Sequence, residues 1–281
     1  MIDLGNDTHS AEIAFFGGSF TAIDRDYMVS LLEATKPYID TFYGIRISTR
    51  PDCIDDSILS LLKQYKVTSI ELGAQSMDDI VLSANNRGHS SADVVYASKL
   101  IKSYGFSLGL QMMTGLYRST VQTDILTAEQ FIALMPDTVR IYPTVVMRDT
   151  ELESLYNNQV FLPYSLEASI ELCSKLIEMF EDNNINIIRL GLHYSDSLIK
   201  NSIGNNYHPA FKELCENRIF YNKFYRIAQK SDGFNTVFIN QRSLSKFLGQ
   251  KKSNLSAFEK LGYKFDIKFD NTLPKYDLYL K

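Results

Sequence analysis

Short apolar runs alternate with amphipathic segments along the first two thirds of the chain. The first run, 12–16, ends at two glycines, and an amphipathic segment follows it from about Asp24. Apolar runs of this length predict buried strands, and apolar positions spaced three or four residues apart predict helices. The predicted strands are 12–16, 42–48, 67–72, 106–112, 138–142 and 185–190. The predicted helices between them are 24–40, which closes near Pro37, and then 55–65, 77–84, 91–104, 123–134 and 165–182.

This alternation is typical of right-handed βαβ units around a parallel sheet, which is either open and doubly wound or curled into an incomplete barrel. Polar or glycine residues recur just past the carboxyl end of each predicted strand. They are Gly17–Ser19, Thr49–Arg50, Gly73 with Gln75, Thr114–Gly115, Tyr142–Pro143 and Gly191 with His193. In a barrel those strand ends converge on one mouth, whereas in a flat sheet the outer ones lie far apart. The pattern therefore favours the barrel, with a ligand site at its mouth.

The alternation stops near residue 201, which predicts a barrel domain over 1–200 and a small α+β subdomain over 201–281. The subdomain begins with a predicted helix over 210–220. A strand at 236–239, two helices at 242–247 and 254–261, and a strand at 263–269 follow it. The basic loop Gly249–Lys252 between those two helices gives an order that resembles a KH RNA-binding module. That module has a second glycine where Lys252 stands, and the alternative is a capping subdomain with a solvated pair of lysines.

The composition is that of an ordinary globular protein, with 281 residues, 45% of them hydrophobic and 22% charged. A formal net charge of -4 gives no overall basic footprint for nucleic acid, although a local patch is compatible with it. No apolar run approaches the roughly 20 residues that span a bilayer, and residues 1–11 are too polar for a signal peptide. We therefore expect a cytoplasmic protein without a membrane partner.

The three cysteines, Cys53, Cys173 and Cys215, lie far apart in the sequence and show no paired spacing for zinc or an iron–sulfur cluster. Their distribution is typical of reduced cytosolic thiols. No metal ligands are predicted within the chain, and no residue is identified as catalytic.

Four short blocks resemble the signature blocks of radical S-adenosylmethionine enzymes, and they occur in that family's order. They are Phe16–Phe20, Ser48–Asp52, Glu71–Ser76 and Asn86–His89. The resemblance covers about residues 12–193 and is strongest to the branch that contains the elongator catalytic subunit. Oxygen-independent coproporphyrinogen oxidases are more distantly similar. The fold that this resemblance implies is a partial (β/α)6 TIM-like barrel of the radical SAM type without its first strand, followed by the α+β subdomain.

The resemblance also implies a 4Fe-4S cluster, with S-adenosylmethionine chelating its open iron. In that family the double-glycine turn binds the methionine amino group through its backbone, which assigns this role to Gly17, Gly18 and Ser19. Residues after later strands contact the ribose, carboxylate and adenine, and by position these are Thr49, Arg50, Gln75, Arg87, Met113, Gly115 and Tyr142.

The chemistry of three side chains leaves alternatives open. Arg87 is able to pair with a carboxylate through a bidentate hydrogen bond, or to hold a loop by bonding carbonyl groups. Arg50 either points into the barrel mouth or pairs with Glu71. His89 fits a loop or capping residue better than a ligand.

The chain departs from the family at the cluster. The family holds its cluster with three cysteines in a C-x3-C-x2-C loop upstream of the glycine turn, and residues 1–11 contain no cysteine. We expect Met1 to lie within a longer sequence, so that the first strand and the cluster loop are missing from this chain. A cluster-free relative is the alternative. On the first reading the cluster is present only in the intact protein, and this chain by itself is inactive.

The resemblance implies that the intact enzyme cleaves S-adenosylmethionine to a 5′-deoxyadenosyl radical that abstracts hydrogen, with a reductase as electron donor. Modification of tRNA is the favoured use, ahead of a porphyrinogen-type small molecule. The alternative is a non-catalytic RNA-binding or scaffold protein on a degenerate barrel. The sequence does not indicate an oligomeric state.

Overall fold

The structure is a computed structural model and describes residues 10–204, 206–231 and 233–281. Its strands are β1 (Glu12–Phe15), β2 (Gly44–Thr49), β3 (Val67–Gln75), β4 (Ser107–Thr114), β5 (Thr138–Pro143), β6 (Val146–Met147), β7 (Asn186–Leu190), β8 (Ser202–Ile203), β9 (Thr236–Ile239), β10 (Asp266–Phe269) and β11 (Leu278–Leu280). Its helices are α1 (Arg25–Glu33), α2 (Asp56–Gln64), α3 (Asp79–Ala84), α4 (Ser91–Ser103), α5 (Val121–Leu134), α6 (Glu151–Asn157), α7 (Leu166–Asp182), α8 (Asp196–Asn201), α9 (Phe211–Ala228), α10 (Leu244–Leu248) and α11 (Ser253–Lys260).

The chain forms two compact units. The first comprises the chain up to Thr144, together with Glu151–Pro163 and Met179–Leu190. It contains a six-stranded sheet in the order β1-β2-β3-β4-β5-β7, in which every neighbouring pair is parallel. The sheet curls into half a barrel, which confirms the predicted partial barrel. All six carboxyl ends therefore lie at the same edge.

Local sequence signals set where the helices of the first unit begin. The side chain preceding each of five helices accepts a hydrogen bond from a backbone N–H of the first turn, which satisfies donors that the helix itself cannot use. These caps are Asp24, Asp55, Asp78, Ser90 and Thr120. The apolar faces of the helices supply fully buried side chains such as Leu59, Ile101 and Phe131 to the core. Burial of those faces holds the strand ends in place.

The second unit comprises Val145–Thr150, Tyr164–Glu178 and Gly191–Lys281. Its three-stranded sheet has the order β10-β9-β11, with β10 parallel and β11 antiparallel to β9. A short antiparallel pair of β6 and β8 also belongs to this unit. The fully buried rings of Phe220, Phe224, Phe247 and Phe258 form an aromatic core. This confirms the predicted α+β subdomain, whereas the domain boundary at residue 200 stays a prediction.

The second unit also differs in detail from the sequence prediction. Helix α9 continues to Ala228, beyond the predicted end at residue 220, because Phe224 keeps its apolar face in the aromatic core. Strand β10 begins at Asp266 and not at residue 263, since Tyr263 and Phe265 pack their rings against Phe224. The two-residue β6 and β8, the three-residue β11, and the short helices α6 and α8 were not predicted. Elements this short carry little periodicity of their own.

None of the helices in the described part of the chain combines the length and the apolar character needed to cross a bilayer.

The close packing of β4 against β3 gives a first test of the half-barrel. A Cβ atom at Gly109 would lie 2.7 Å from Cγ of Glu71 and 3.0 Å from Oγ1 of Thr138. We therefore expect Gly109→Ala to lower the free energy of unfolding by about 1–3 kcal/mol in a denaturant titration. Gly18→Ala is the control, because no atom lies within 4 Å of a Cβ there. Equal unfolding midpoints for the two variants would contradict this packing.

Candidate functional site

A cleft of about 380 Å³ opens at the carboxyl ends of the first four strands. Cofactor clefts in barrels lie at this edge, and the volume is within the usual range for small-molecule sites. Seven of the ten predicted site residues line it, namely Gly17, Gly18, Ser19, Thr49, Arg50, Gln75 and Arg87. The structure therefore brings together residues from four separate segments of the chain.

The double-glycine turn after β1 has an open inner surface. Gly17 has a φ of +110°, a conformation that favours glycine, and a Cβ at Gly17 or Gly18 would meet no atom within 4 Å. Hydroxyl groups fasten the turn to β2: Oγ of Ser19 lies 3.0 Å from Oγ1 of Thr49 and accepts a 2.8 Å bond from the Arg50 backbone N–H. The Ser19 and Thr49 side chains thus position the turn, and its backbone is left facing the cleft.

Gln75 ends β3 in a strained conformation. Its φ is +67°, which is uncommon for a residue other than glycine, and the register against β4 shifts between Leu72 and Gln75. The side chain is only 4% exposed, and its Oε1 lies 3.4 Å from Nε2 of Gln111. Gln111 also lines the cleft and was not predicted. The two amides offer donors and acceptors side by side.

Arg50 lines the cleft at the barrel mouth, and its guanidinium is paired with a neighbouring carboxylate. Its guanidinium donates to both carboxylate oxygens of Asp52, at 2.9 and 2.6 Å, and approaches the Gly88 carbonyl at 3.5 Å. The hydrogen bonds from Arg50 hold the pKa of the Asp52 carboxyl below its usual value. The predicted pairing of Arg50 with Glu71 is wrong, because Glu71 binds other arginines.

Arg87 differs from Arg50 because none of the described carboxylates forms an ion pair with its guanidinium. Its Nε is buried and has no hydrogen-bond partner among the described residues, and the side chain lines the cleft. Burial, and secondarily the charge of Arg50, lower the pKa of Arg87. A buried polar atom without a partner costs free energy and therefore needs an explanation. An anionic ligand in the cleft would supply the missing acceptor.

Neighbouring His89 is a buried loop residue whose Nε2 lies 3.0 Å from the Ala74 carbonyl oxygen.

Three predicted site residues do not line this cleft. Gly115 donates its backbone N–H to Asp124 at 2.9 Å, and the Tyr142 hydroxyl lies 3.5 Å from Nη1 of Arg140. Met113 lies on β4 and pairs with Tyr142 in the sheet. A direct role for these three residues in cofactor binding stays a prediction.

Inside the half-barrel, charged side chains form a chain that the sequence analysis missed. Glu71 is 2% exposed and accepts from Arg140 at 2.5 and 2.9 Å and from Arg46 at 3.0 Å. Arg46 also pairs with Glu12 at 2.6 Å, and the Phe16 ring covers the Arg140 guanidinium at 4.9 Å. The sequence signal for this network was the presence of single charged residues within apolar strands. That signal does not identify the pairs, because the partners come from different strands.

The described residues do not fit an iron–sulfur cluster. No group of three or more His, Cys, Asp or Glu side chains in the described ranges is able to hold a metal ion. Cys53 lies in the short turn after β2, while Cys173 and Cys215 are buried on α7 and α9. The cleft, in contrast, fits a ligand with a carboxylate and several polar groups.

Comparison with known proteins agrees with this geometry. The Radical SAM superfamily profile matches residues 2–129, and the profile of the Radical_SAM C-terminal domain matches residues 136–220. A tRNA uridine(34) acetyltransferase of Methanocaldococcus infernus is 30% identical over 61% of this chain and 36% of its own length. Elongator complex protein 3 of Mus musculus is 32% identical over 63% of this chain and 36% of its own length. The chain thus spans about a third of the length of these curated relatives.

A solved structure shares the fold. The Elp3 protein of the archaeon Methanocaldococcus infernus, with residues 1–46 deleted, superposes with a TM-score of 0.66 and 22% sequence identity. The superposition covers 79% of this chain and 55% of that one. At this identity the likeness establishes the architecture only.

The Glu71 carboxylate gives a second test. Glu71→Gln removes the carboxylate that pairs with Arg140 and one of the two that pair with Arg46, and both guanidinium groups are mostly shielded from solvent. We therefore expect a loss of about 3–5 kcal/mol in the free energy of unfolding. Glu33→Gln is the control, because Glu33 forms an exposed pair with Lys36, and such pairs contribute about 0–1 kcal/mol. Denaturant titration of both variants measures the difference. Similar losses would show that the network contributes little.

Glu12 gives a pH-dependent test. Burial alone would raise the pKa of its carboxyl, but hydrogen bonds from Ser69 and Thr68 and the Arg46 guanidinium outweigh burial and lower the pKa. The carboxylate therefore stabilises the fold above its unfolded pKa of about 4.3, and that contribution is lost as the pH falls through the lowered folded pKa. We expect the stability of Glu12→Gln to fall less steeply with acidification than that of the parent protein. Parallel stability–pH curves would contradict the assignment.

Proposed function

Because the chain belongs to the radical SAM superfamily, we propose that the cleft binds S-adenosylmethionine and serves an enzyme that modifies tRNA. The observation that carries this proposal is the half-buried Arg87, whose buried Nε has no hydrogen-bond partner in the described part of the chain. The cleft that Arg87 lines also contains the open double-glycine turn. A cationic donor and exposed backbone groups match the two ends of an amino-acid moiety.

The cleft has a matching group for the carboxylate, the ammonium group and the ribose of the cofactor. Arg87 would donate hydrogen bonds to the methionine carboxylate, since guanidinium and carboxylate form strong bidentate pairs. The backbone of Gly17 and Gly18 would accept from the methionine ammonium group, because glycine lets a ligand approach the main chain closely. The amides of Gln75 and Gln111 have the donors and acceptors that ribose hydroxyls require.

The surrounding residues position these groups. The Ser19 and Thr49 hydroxyls fix the glycine turn against the end of β2. Arg50 is neutralised by Asp52, which leaves the charge of Arg87 as the less compensated of the two. The described residues do not fit the iron–sulfur cluster, so the roles that we assign to them are roles in cofactor binding.

The substrate class comes from the relatives. The matched proteins are a tRNA uridine(34) acetyltransferase and Elongator complex protein 3, and the former is named for its action on tRNA. We extend this substrate class to the present chain as part of the proposal. The similarity to these relatives covers 61% and 63% of this chain, and the residues that the Radical SAM superfamily profile matches, 2–129, include those that line the cleft.

Calorimetric titration with S-adenosylmethionine tests the cofactor assignment. We expect Arg87→Ala to weaken binding by about 1.5–3 kcal/mol, the cost of losing a hydrogen bond to a charged group. Methylthioadenosine lacks the amino-acid part, so its affinity should be the same for Arg87→Ala and the parent protein. Arg25→Ala is the control variant, because Arg25 is exposed on α1 and lies outside the cleft lining.

Two outcomes would contradict the proposal. Equal S-adenosylmethionine affinities for Arg87→Ala and the parent protein would remove Arg87 from the site. Absence of binding by the parent protein would favour the alternative, a non-catalytic RNA-binding or scaffold protein.

A further inference from the structure

The three-stranded sheet of the second unit has two unlike faces. Residues of one face, including Val237, Ile239 and Leu278, are buried with the aromatic core. On the other face the register places Lys268, Phe238 and Tyr279 in one row across β10, β9 and β11. Lys268 is exposed, and the two aromatic side chains remain partly accessible to solvent. This row is called the aromatic row below.

The two rings of the aromatic row are stacked. Their centroids lie 4.7 Å apart with an interplanar angle of 7°, and Nζ of Lys281 lies 5.3 Å from the Phe238 ring and 5.5 Å from the Tyr279 ring. The Tyr279 hydroxyl lies 3.2 Å from Oδ2 of Asp270, which limits its rotation. A solvated sheet face is ordinarily polar. On this face, in contrast, Lys268 lies beside Phe238 in the row, and the Lys281 ammonium group lies over the rings of Phe238 and Tyr279.

Charge is distributed unevenly along the chain. Residues 191–281 contain 15 Lys and Arg against 8 Asp and Glu, whereas residues 1–190 contain 14 against 25. The ion pairs within the second unit use Arg218, Lys223 and Lys246. Lys268 takes part in no ion pair of the described residues. The face therefore lies in a basic segment of an acidic protein, which complements a polyanion.

We propose that the aromatic row binds single-stranded RNA. Aromatic rings flanked by basic side chains are the combination with which sheets hold unpaired bases, because the rings stack on bases and the cations approach phosphates. β11 is an edge strand of its sheet, so Tyr279 has a ring neighbour on one side within the described residues. A base would stack on its other side and extend the existing pair. The choice of RNA over DNA rests on the proposed tRNA substrate.

Fluorescence anisotropy of the full chain with a labelled, unstructured single-stranded RNA of about twelve nucleotides tests this proposal. We expect Phe238→Ala and Tyr279→Ala each to weaken binding about tenfold or more, since stacking on one base is typically that strong. Tyr279→Phe keeps the ring and should retain the parent affinity. Lys268→Ala should lower the slope of log affinity against log salt by about 0.7, the value for one phosphate contact on a single strand.

Tyr225→Ala is the matched control. Tyr225 is also an exposed aromatic residue of the second unit, and its ring stacks on Tyr221 at 6.2 Å with an interplanar angle of 3°. It lies on α9 and not on the sheet, so we expect no change in RNA affinity. Circular dichroism shows whether the alanine variants of the aromatic row are folded. If they are not, the RNA affinity of Lys268→Glu tests the proposal instead, because this substitution changes an exposed side chain and should weaken binding.

Three results would overturn the proposal: no binding of the RNA by the parent protein, parental affinity in Tyr279→Ala, or an equal loss in Tyr225→Ala. S-adenosylmethionine titration of the same proteins separates this inference from the proposed function. RNA binding through the row without cofactor binding would refute the cofactor assignment alone. Cofactor binding without RNA binding would refute the aromatic row alone.

Discussion

The buried pairing of Glu71 with Arg140 and Arg46 is the interaction on which the first unit depends. Charged groups inside a protein are tolerated only when they are paired and hydrogen-bonded. Glu71 meets that condition by pairing with Arg140 and Arg46. Arg46 also pairs with Glu12. These side chains come from β1, β2, β3 and β5, so the network fixes the relation of four strands. A half-barrel filled in this way has a polar interior where a closed barrel packs apolar side chains.

The network also accounts for the position of the cleft above it. Phe16 covers the Arg140 guanidinium and directly precedes the double-glycine turn. Glu71 lies two residues before Gly73 and four before the strained Gln75 on the same strand. The carboxylates of Glu71 and Glu12 are paired within the protein, whereas Arg87 at the wall of the cleft has a buried Nε without a partner among the described residues. This contrast separates the groups that maintain the fold from the group that is available to a ligand.

The second unit combines a different core with a different surface. Its interior is built from phenylalanine rings, and its sheet exposes a stacked aromatic pair on the opposite face. Basic residues outnumber acidic ones in this part of the chain, although the whole protein carries a net charge of -4. The two units therefore present surfaces with different chemistry: a cleft that fits a ligand with a carboxylate and several polar groups, and a sheet face with aromatic and basic side chains.

The sequence by itself determined the succession of strands and helices and the residues at the strand ends. These features are local: apolar periodicity and helix caps such as Asp55 and Ser90 act within a few residues. The convergence of Gly17, Thr49 and Gln75 on one cleft followed from them, because parallel strands bring their carboxyl ends to one edge.

Only the tertiary structure decided which charges pair. Arg50 directly follows β2 and Arg140 lies within β5, yet Arg50 binds Asp52, two residues away, whereas Arg140 binds Glu71, 69 residues away in sequence. The same holds for the stacked Phe238 and Tyr279, which are brought together by the antiparallel pairing of β9 with β11. Such partners depend on sheet register and on which strands are neighbours, and neither is encoded in the residues of one segment alone.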